Sequence, residues 1–172
     1  MRRKLRPCLW ALSPLLALLA ASPAGLRVNH PQSLPPGIYF RLWKHPEKGD
    51  LVTFEPPSGP AFDLALARGY LGPGSFSHYE KLLKRLAAVE GDTVTIDGAG
   101  VVVNGKRLPN TVPLAVDPAG RPLPVCRLQD YRLRPNEVLV ISDYSRLSFD
   151  SRYFGPIPRA QLRSVVRPIW RC

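Results

Sequence analysis

Residues 78–92 read HYEKLLKRLAAVEGD, and the fold turns on whether they coil or extend. Propensity favours a helix, because Glu, Lys, Leu and Ala are all good helix formers. On a helix Lys84 would stand one turn from Glu80 and form a solvated ion pair. On a strand, alternation places Lys84 on the face of Leu82, Leu86 and Ala88. An ammonium on such a face is costly unless its pKa falls. The two readings give Lys84 opposite chemistry, a surface charge or a desolvated amine that titrates near neutrality, and the segment by itself leaves both open.

The flanking sequence is richer in strand signals. "EGDTVTIDGAGVVVNGKRL" (90–108) joins the β-branched runs "TVTI" and "VVV" through "DGAG" and then places Asn-Gly at 104–105, a strong hairpin turn. "GIYFRLW" (37–43), the 51–54 core of "KGDLVTFEPP" (48–57) and "EVLVISD" (137–143) also read as strands. "AFDLALARGYLG" (61–72) reads as a short helix, and the stretch 109–124, with five prolines, as a surface excursion. The starts "KGDLV" and "EGDTV" echo each other without making a repeat. The predicted class is mainly β with few short helices, preceded by one N-terminal hydrophobic helix.

With 172 residues, of which 45% are hydrophobic and 22% charged, the chain has material for one core. Its 20 prolines and 13 glycines favour short strands over a helical bundle. The net charge of +11 invites a nucleic-acid reading, but Arg2, Arg3, Lys4 and Arg6 supply four of these charges, leaving +7 spread without runs. Diffuse positive charge suits an anionic membrane surface at least as well, and no nucleic-acid partner is expected. Three cysteines are too few for a disulfide scaffold. Cys126 and Cys172 are the only possible pair in an exported domain, and nothing in the sequence brings them together. His30, His45 and His78 are scattered and no Cys/His spacing resembles a zinc site, so neither a metal nor a cofactor is expected.

The N-terminus carries an address. "MRRKLR" precedes an apolar stretch of roughly 18 residues, about 27 Å as a helix, interrupted by Pro14 and Pro23. The basic flank predicts the N-terminus inside and the remainder exported. "SPAG" (22–25) also has the small residues of a signal-peptide cleavage site. Residues 1–25 are therefore read as a membrane anchor or signal segment, and residues 26–172 as one extracytoplasmic domain.

Eight residues past that segment, "SLPPGIY" (33–39) sets a serine at the mouth of a stiff Pro-Pro-Gly turn. A lone serine is ordinarily a turn hydroxyl. No histidine has an evident orienting acid, so a Ser-His-Asp set is not in view, and lysine becomes the candidate base: a desolvated lysine can take a hydroxyl proton. Three ordered segments then resemble one family, the serine-lysine signal peptidases. "SLPPGIY" is similar to its nucleophile box, "KLLKRLAAVEGDTV" to its lysine box and "SFDSRYFGPIP" (148–158) to its closing box. With "RGYLG", "VNGKRLP" and "GRPLP" between them, the chain looks most like the family's TraF-type conjugative-transfer branch.

The resemblance implies that Ser33 is the nucleophile and Lys84, on a strand, the general base. It implies that Ser148 hydrogen-bonds the lysine amine, and that Asp150 and Arg152 form a supporting ion pair. Tyr153 and Phe154 read as core. It further implies a mainly β catalytic domain with a shallow apolar groove, facing the periplasm at the inner membrane. The substrate would be a membrane-borne pilin-like precursor matured for the conjugative transfer machinery, with the bilayer as a second partner. Two positions depart from the family pattern. Pro31 stands where a hydroxyl often assists the oxyanion hole, which leaves the backbone N–H of Ser33 as one donor. The Gly-Asp-Asn before the closing box reads Ser-Asp-Tyr, 142–144. A general type I signal peptidase, a cytoplasmic serine-lysine autoprotease and a non-enzymatic β-rich component of a secretion machine are the competing classes. The apolar N-terminus, and the lack of a DNA-binding helix pair before Ser33, argue against the autoprotease.

Overall fold

A computed structural model describes residues 26–29, 33–75 and 77–171; the expected anchor or signal segment at 1–25 lies outside them, as do Pro31 and Cys172. Among the described residues no helix is long and apolar enough to cross a membrane. The larger sheet is built from β1 (Leu26–Asn29), β2 (Gly37–Leu42), β3 (Leu51–Phe54), β4 (Leu82–Ala88), β9 (Glu137–Ile141), β10 (Ile157–Pro158) and β11 (Leu162–Arg171). Their order is β1-β2-β11-β3-β4-β9-β10. The smaller sheet contains β5 (Thr93–Asp97), β6 (Gly100–Val103), β7 (Lys106–Arg107) and β8 (Leu128–Arg132) in the order β7-β6-β5-β8. Every pairing is antiparallel. The protein is mainly β, as its sequence predicts.

The segment that propensity assigns to a helix is strand β4. It pairs with β3 on one side, Val52 opposite Lys84, and with β9 on the other, Ile141 opposite Arg85. A central strand whose neighbours bury both of its faces overrides intrinsic preference. Leu86, with Leu82 packed alongside, joins the main core with Val52, Phe54, Phe62, Val140 and Phe149. Leu83 points the other way, into a small cluster with Leu34, Tyr39 and Val166. The register slips between Leu86 and Ala88. An extra residue in a strand reverses the alternation beyond it, so Ala88, expected on the face of Lys84, instead packs with Val94, Ile96, Val101, Leu139 and Ile141. That second core is where the two sheets meet.

Local chemistry places the other expected elements. Asn104 and Gly105 both take positive φ, 49° and 77°, the geometry a two-residue hairpin turn requires, and they join β6 to β7. Helix α1 (Pro60–Ala67) begins with proline in its first turn and stops before Gly69 at φ 72°, shorter than the 61–72 reading. The two longest strands without a clear sequence signal are β8 and β11. β8, "LQDYR", is polar and bends at Asp130, φ 45°. β11, "LRSVVRPIWR", contains a proline in mid-strand, yet lies between β2 and β3. It tolerates the proline because its pairing with β2 shifts between Pro168 and Trp170.

Candidate active site

The "SLPPGIY" loop is anchored to the sheet that carries Lys84. Pro35 and Pro36 have their φ angles set by their rings. The buried Tyr39 side chain donates its hydroxyl to the Pro35 carbonyl at 2.8 Å. Leu34 is buried against Tyr39, Leu83 and Val166. Because Leu83 precedes Lys84 on β4, the contact that seats the loop also sets Ser33 beside the lysine. The Ser33 hydroxyl and the Lys84 amine are hydrogen-bonded to one another.

Lys84 is 1% exposed. Burial pushes its pKa down from 10.5 to about 8; Asp150 and Glu80 act upward and Arg152 downward. The two largest neighbouring charges oppose each other, so desolvation governs the amine. An amine that is partly neutral near physiological pH, held against a hydroxyl, can act as a base toward a nucleophile.

The closing segment stands behind this pair. Asp150 and Arg152 have no exposed surface. Their contact is bidentate, with Arg152 Nε on Asp150 Oδ1 and Nη2 on Oδ2, both at 2.8 Å. Asp150 also accepts from the backbone N–H of Ser142 at 2.9 Å and caps the short helix α2 (Ser151–Phe154) through Arg152 N. Arg152 donates to the carbonyls of Asn110, Ser145 and Ser148. The ion pair thus organises the backbone around the site. Tyr153 packs in the core, stacked on Phe149 at 5.5 Å, and also lines the cleft.

One implied contact is not made. Ser148 is buried beside this network, but its Oγ has no hydrogen-bond partner; the Lys84 amine is engaged by Ser33 instead. Asp143, left without a role by the sequence, forms an ion pair with Arg85 of β4 at 2.8 Å. Sequence reasoning did not single out Ser142, whose fully buried hydroxyl donates to the Ser33 carbonyl. Its one signal was the departure from Gly-Asp-Asn.

Ser33 and Lys84 open onto a cleft of about 260 Å3. Leu82, Leu114, Leu123, Leu147 and Phe149 supply apolar walls, but Arg68, Asp117 and Arg121 also line it, so the groove is not simply apolar. The 109–124 stretch therefore builds a wall of the cleft as well as a surface excursion. Its turn is closed by a bridge between Val116 and Pro122 and is centred on Asp117. Asp117 is buried and accepts from the N–H groups of Ala119 and Arg121, from Arg121 Nε and from the Tyr70 hydroxyl. Desolvation would raise its pKa, but the Tyr70 and Arg121 contacts prevail and hold it well below the usual carboxylate range. Cys126 is half-buried with burial raising its thiol pKa; Cys172, the other cysteine of the only possible pair, is outside the described residues.

Residues 22–170 match the family model described as "Signal peptidase, peptidase S26". The chain is 43% identical over 159 residues to "Plasmid transfer protein TraF" of Escherichia coli, covering 92% of this chain and 89% of that protein. It is 34% identical over 156 residues to "Conjugal transfer protein TraF" of Agrobacterium tumefaciens, covering 88% and 85%. Against the crystal structure of a signal peptidase I from Enterococcus faecalis the TM-score is 0.40 at 21% identity, covering 72% of this chain and 98% of that one. On the family match and these identities, the chain belongs to the S26 signal peptidase family and is a serine peptidase by descent.

Proposed function

We propose that this protein is a membrane-associated serine endopeptidase in which Ser33 is the nucleophile and Lys84 the general base. The observation that carries the reading is the hydrogen bond between the Ser33 hydroxyl and an amine whose pKa burial has lowered to about 8. Neutral Lys84 takes the proton from Ser33, and Ser33 Oγ attacks the scissile carbonyl. The lysinium then returns the proton to the leaving amine, leaving an acyl-enzyme. The Ser33 backbone N–H is the oxyanion donor this reading uses. Asp150 and Arg152 support the site as an ion pair, and the Ser148 carbonyl accepts from Arg152. Lysine next activates either water, giving hydrolysis, or an amine terminus, giving a cyclic product.

The substrate we assign is a pilin-like precursor of a conjugative transfer system, consistent with the names of the TraF relatives. The catalytic domain, residues 26–172, faces the periplasm at the inner membrane, with residues 1–25 as anchor or signal segment. In support, Trp43, Ile169 and Trp170 are exposed and Arg41 lies 5.4 Å from the Trp43 ring, an aromatic and basic mixture suited to a membrane interface. The test co-expresses the precursor with wild type, Ser33→Ala or Lys84→Ala and weighs the product intact. Cleavage by wild type alone supports the dyad, and a product one water lighter than the linear fragment identifies cyclisation. Processing that survives Ser33→Ala in a folded protein overturns the assignment.

A further inference from the structure

Ser33 is held from two sides. Lys84 engages its hydroxyl, and Ser142 donates a second hydrogen bond to its main-chain carbonyl. Ser142 follows Ile141, the last residue of β9, which pairs with Arg85 of β4. It therefore leaves the sheet next to Lys84, and the base and the carbonyl's donor come from adjacent strands. The Ser142 side chain is itself fixed. Its backbone N–H is held by Asp150 at 2.9 Å, its hydroxyl accepts from the Ser145 N–H at 3.2 Å, and the residue has no exposed surface. A continuous path thus runs from the Arg152–Asp150 pair through Ser142 to the Ser33 backbone.

We infer that Ser142 is a positioning residue for the nucleophile, its hydroxyl pinning the Ser33 carbonyl and so fixing the backbone torsions from which Ser33 Oγ projects toward the cleft. A serine on a loop has one freely rotating side-chain torsion and two backbone torsions. Lys84 restrains the first, and the turn prolines lie after the serine, so they leave its own carbonyl to be oriented by an outside donor. Ser142 supplies that donor from 109 residues away. The family pattern has glycine here, which offers no hydroxyl; the Ser-Asp-Tyr departure is the residue-level source of the pin. Small displacements of a nucleophile cost rate because attack demands a narrow geometry.

The inference rests on Ser33 being the nucleophile, and the test separates the two. The 172-residue chain in detergent is reacted with p-nitrophenyl acetate, which needs no knowledge of the natural substrate, with Ser33→Ala as the blank. Ser142→Ala is expected to slow Ser33-dependent acylation about tenfold, equivalent to one lost positional hydrogen bond, without moving the pH midpoint, because Lys84 is unchanged. The Leu34 amide nitrogen, which follows the pinned carbonyl, should change its NMR shift in the same variant. Ser151→Ala is the control. It removes an equally buried hydroxyl that accepts from Val140 N at 3.1 Å and does not touch Ser33, and it should stay within about twofold of wild type. Ser142→Cys, close in size but a weak donor, is read in the same way should the alanine variant not fold. Wild-type acylation in Ser142→Ala, or equal slowing in both serine variants with the Leu34 resonance unmoved, overturns the pin. A wild-type rate no higher than that of Ser33→Ala overturns the nucleophile instead.

Discussion

One aspartate–arginine pair lies buried behind the site and another lines the cleft, and they differ most in their exposure to water. Asp150 and Arg152 are two residues apart and wholly enclosed, with no exposed side-chain surface on either partner. Asp117 and Arg121 are four apart; the carboxylate is enclosed, but the guanidinium side chain is 42% exposed and lies over the Tyr70 ring at 5.7 Å. The first pair cannot exchange its partner for water, so it is committed to holding backbone: the Ser142 N–H, the α2 cap and three carbonyls. In the second, only the guanidinium can lose its partner and remain solvated; the enclosed carboxylate keeps the Tyr70 hydroxyl and two backbone N–H groups. This pair shapes a wall of the cleft without being needed for the core. The same chemistry is structural in one setting and available for substrate fit in the other, and burial decides which.

Removing one partner of the enclosed pair is the harshest way to probe this contrast. Asp150→Ala leaves the Arg152 guanidinium buried and unpaired, a loss of about 3–5 kcal/mol, a large part of the stability of an ordinary domain. Urea unfolding should show it directly. A loss under about 1 kcal/mol would mean the enclosed pair behaves like a surface one.

Lys84 is a further enclosed charge and has no carboxylate hydrogen-bonded to it. Lys84→Met should abolish acylation and also stabilise the fold by about 1–3 kcal/mol at neutral pH, because it removes the cost that lowers the amine's pKa. Activity and melting temperature would move in opposite directions. A destabilised Lys84→Met would show that the amine is held more favourably than its burial implies.

Titration sharpens the same point. On the proposed dyad, Lys84 would accept the serine proton only when neutral, so acylation should rise with pH through about 8 and level off above it. Stability should increase between about 8 and the ordinary 10.5, since the unfolded chain binds the extra proton in that window. Glu80 acts upward on Lys84 and is the weakest of the named influences. Glu80→Gln, which retains an acceptor for the Gly72 N–H, should move the midpoint slightly below its wild-type value. A move upward would contradict the electrostatic account.

The mildest expected effect is at the half-exposed pair. Asp117→Asn weakens the hold on the 115–123 turn and should raise KM roughly three- to tenfold with kcat nearly unchanged, while the melting temperature falls, but by less than in Asp150→Ala, because the freed Arg121 is already partly solvated. A large fall in kcat would place this pair with the enclosed one after all.

How much of this was legible in advance varies by residue. The 93–107 hairpins could be read because turn and strand preferences there act within a few residues. The short helix could be read too, except for its end, which Gly69 sets earlier than expected. β11 could not, since its place in the middle of the sheet depends on β2 and β3, both more than a hundred residues earlier, and its proline argued against it. The 109–124 stretch reads as surface by composition, yet the Tyr70 contact to Asp117 turns it toward the cleft. Ser148 shows the reverse case: a residue singled out by motif whose hydroxyl makes no hydrogen bond.

By itself the sequence determined the residue types in play: a serine before a rigid proline turn, a lysine in an apolar run and an Asp-Ser-Arg closing segment in that order. It also determined the turns, because these follow from backbone sterics at single positions. Only the tertiary structure decided that Lys84 lies on a strand, that its amine is stripped of water, and that Ser142 reaches the Ser33 carbonyl. Those outcomes depend on neighbours 51 and 109 residues away along the chain. Desolvation and hydrogen-bond direction are properties of the surroundings, and the surroundings exist only once the sheet has closed around them.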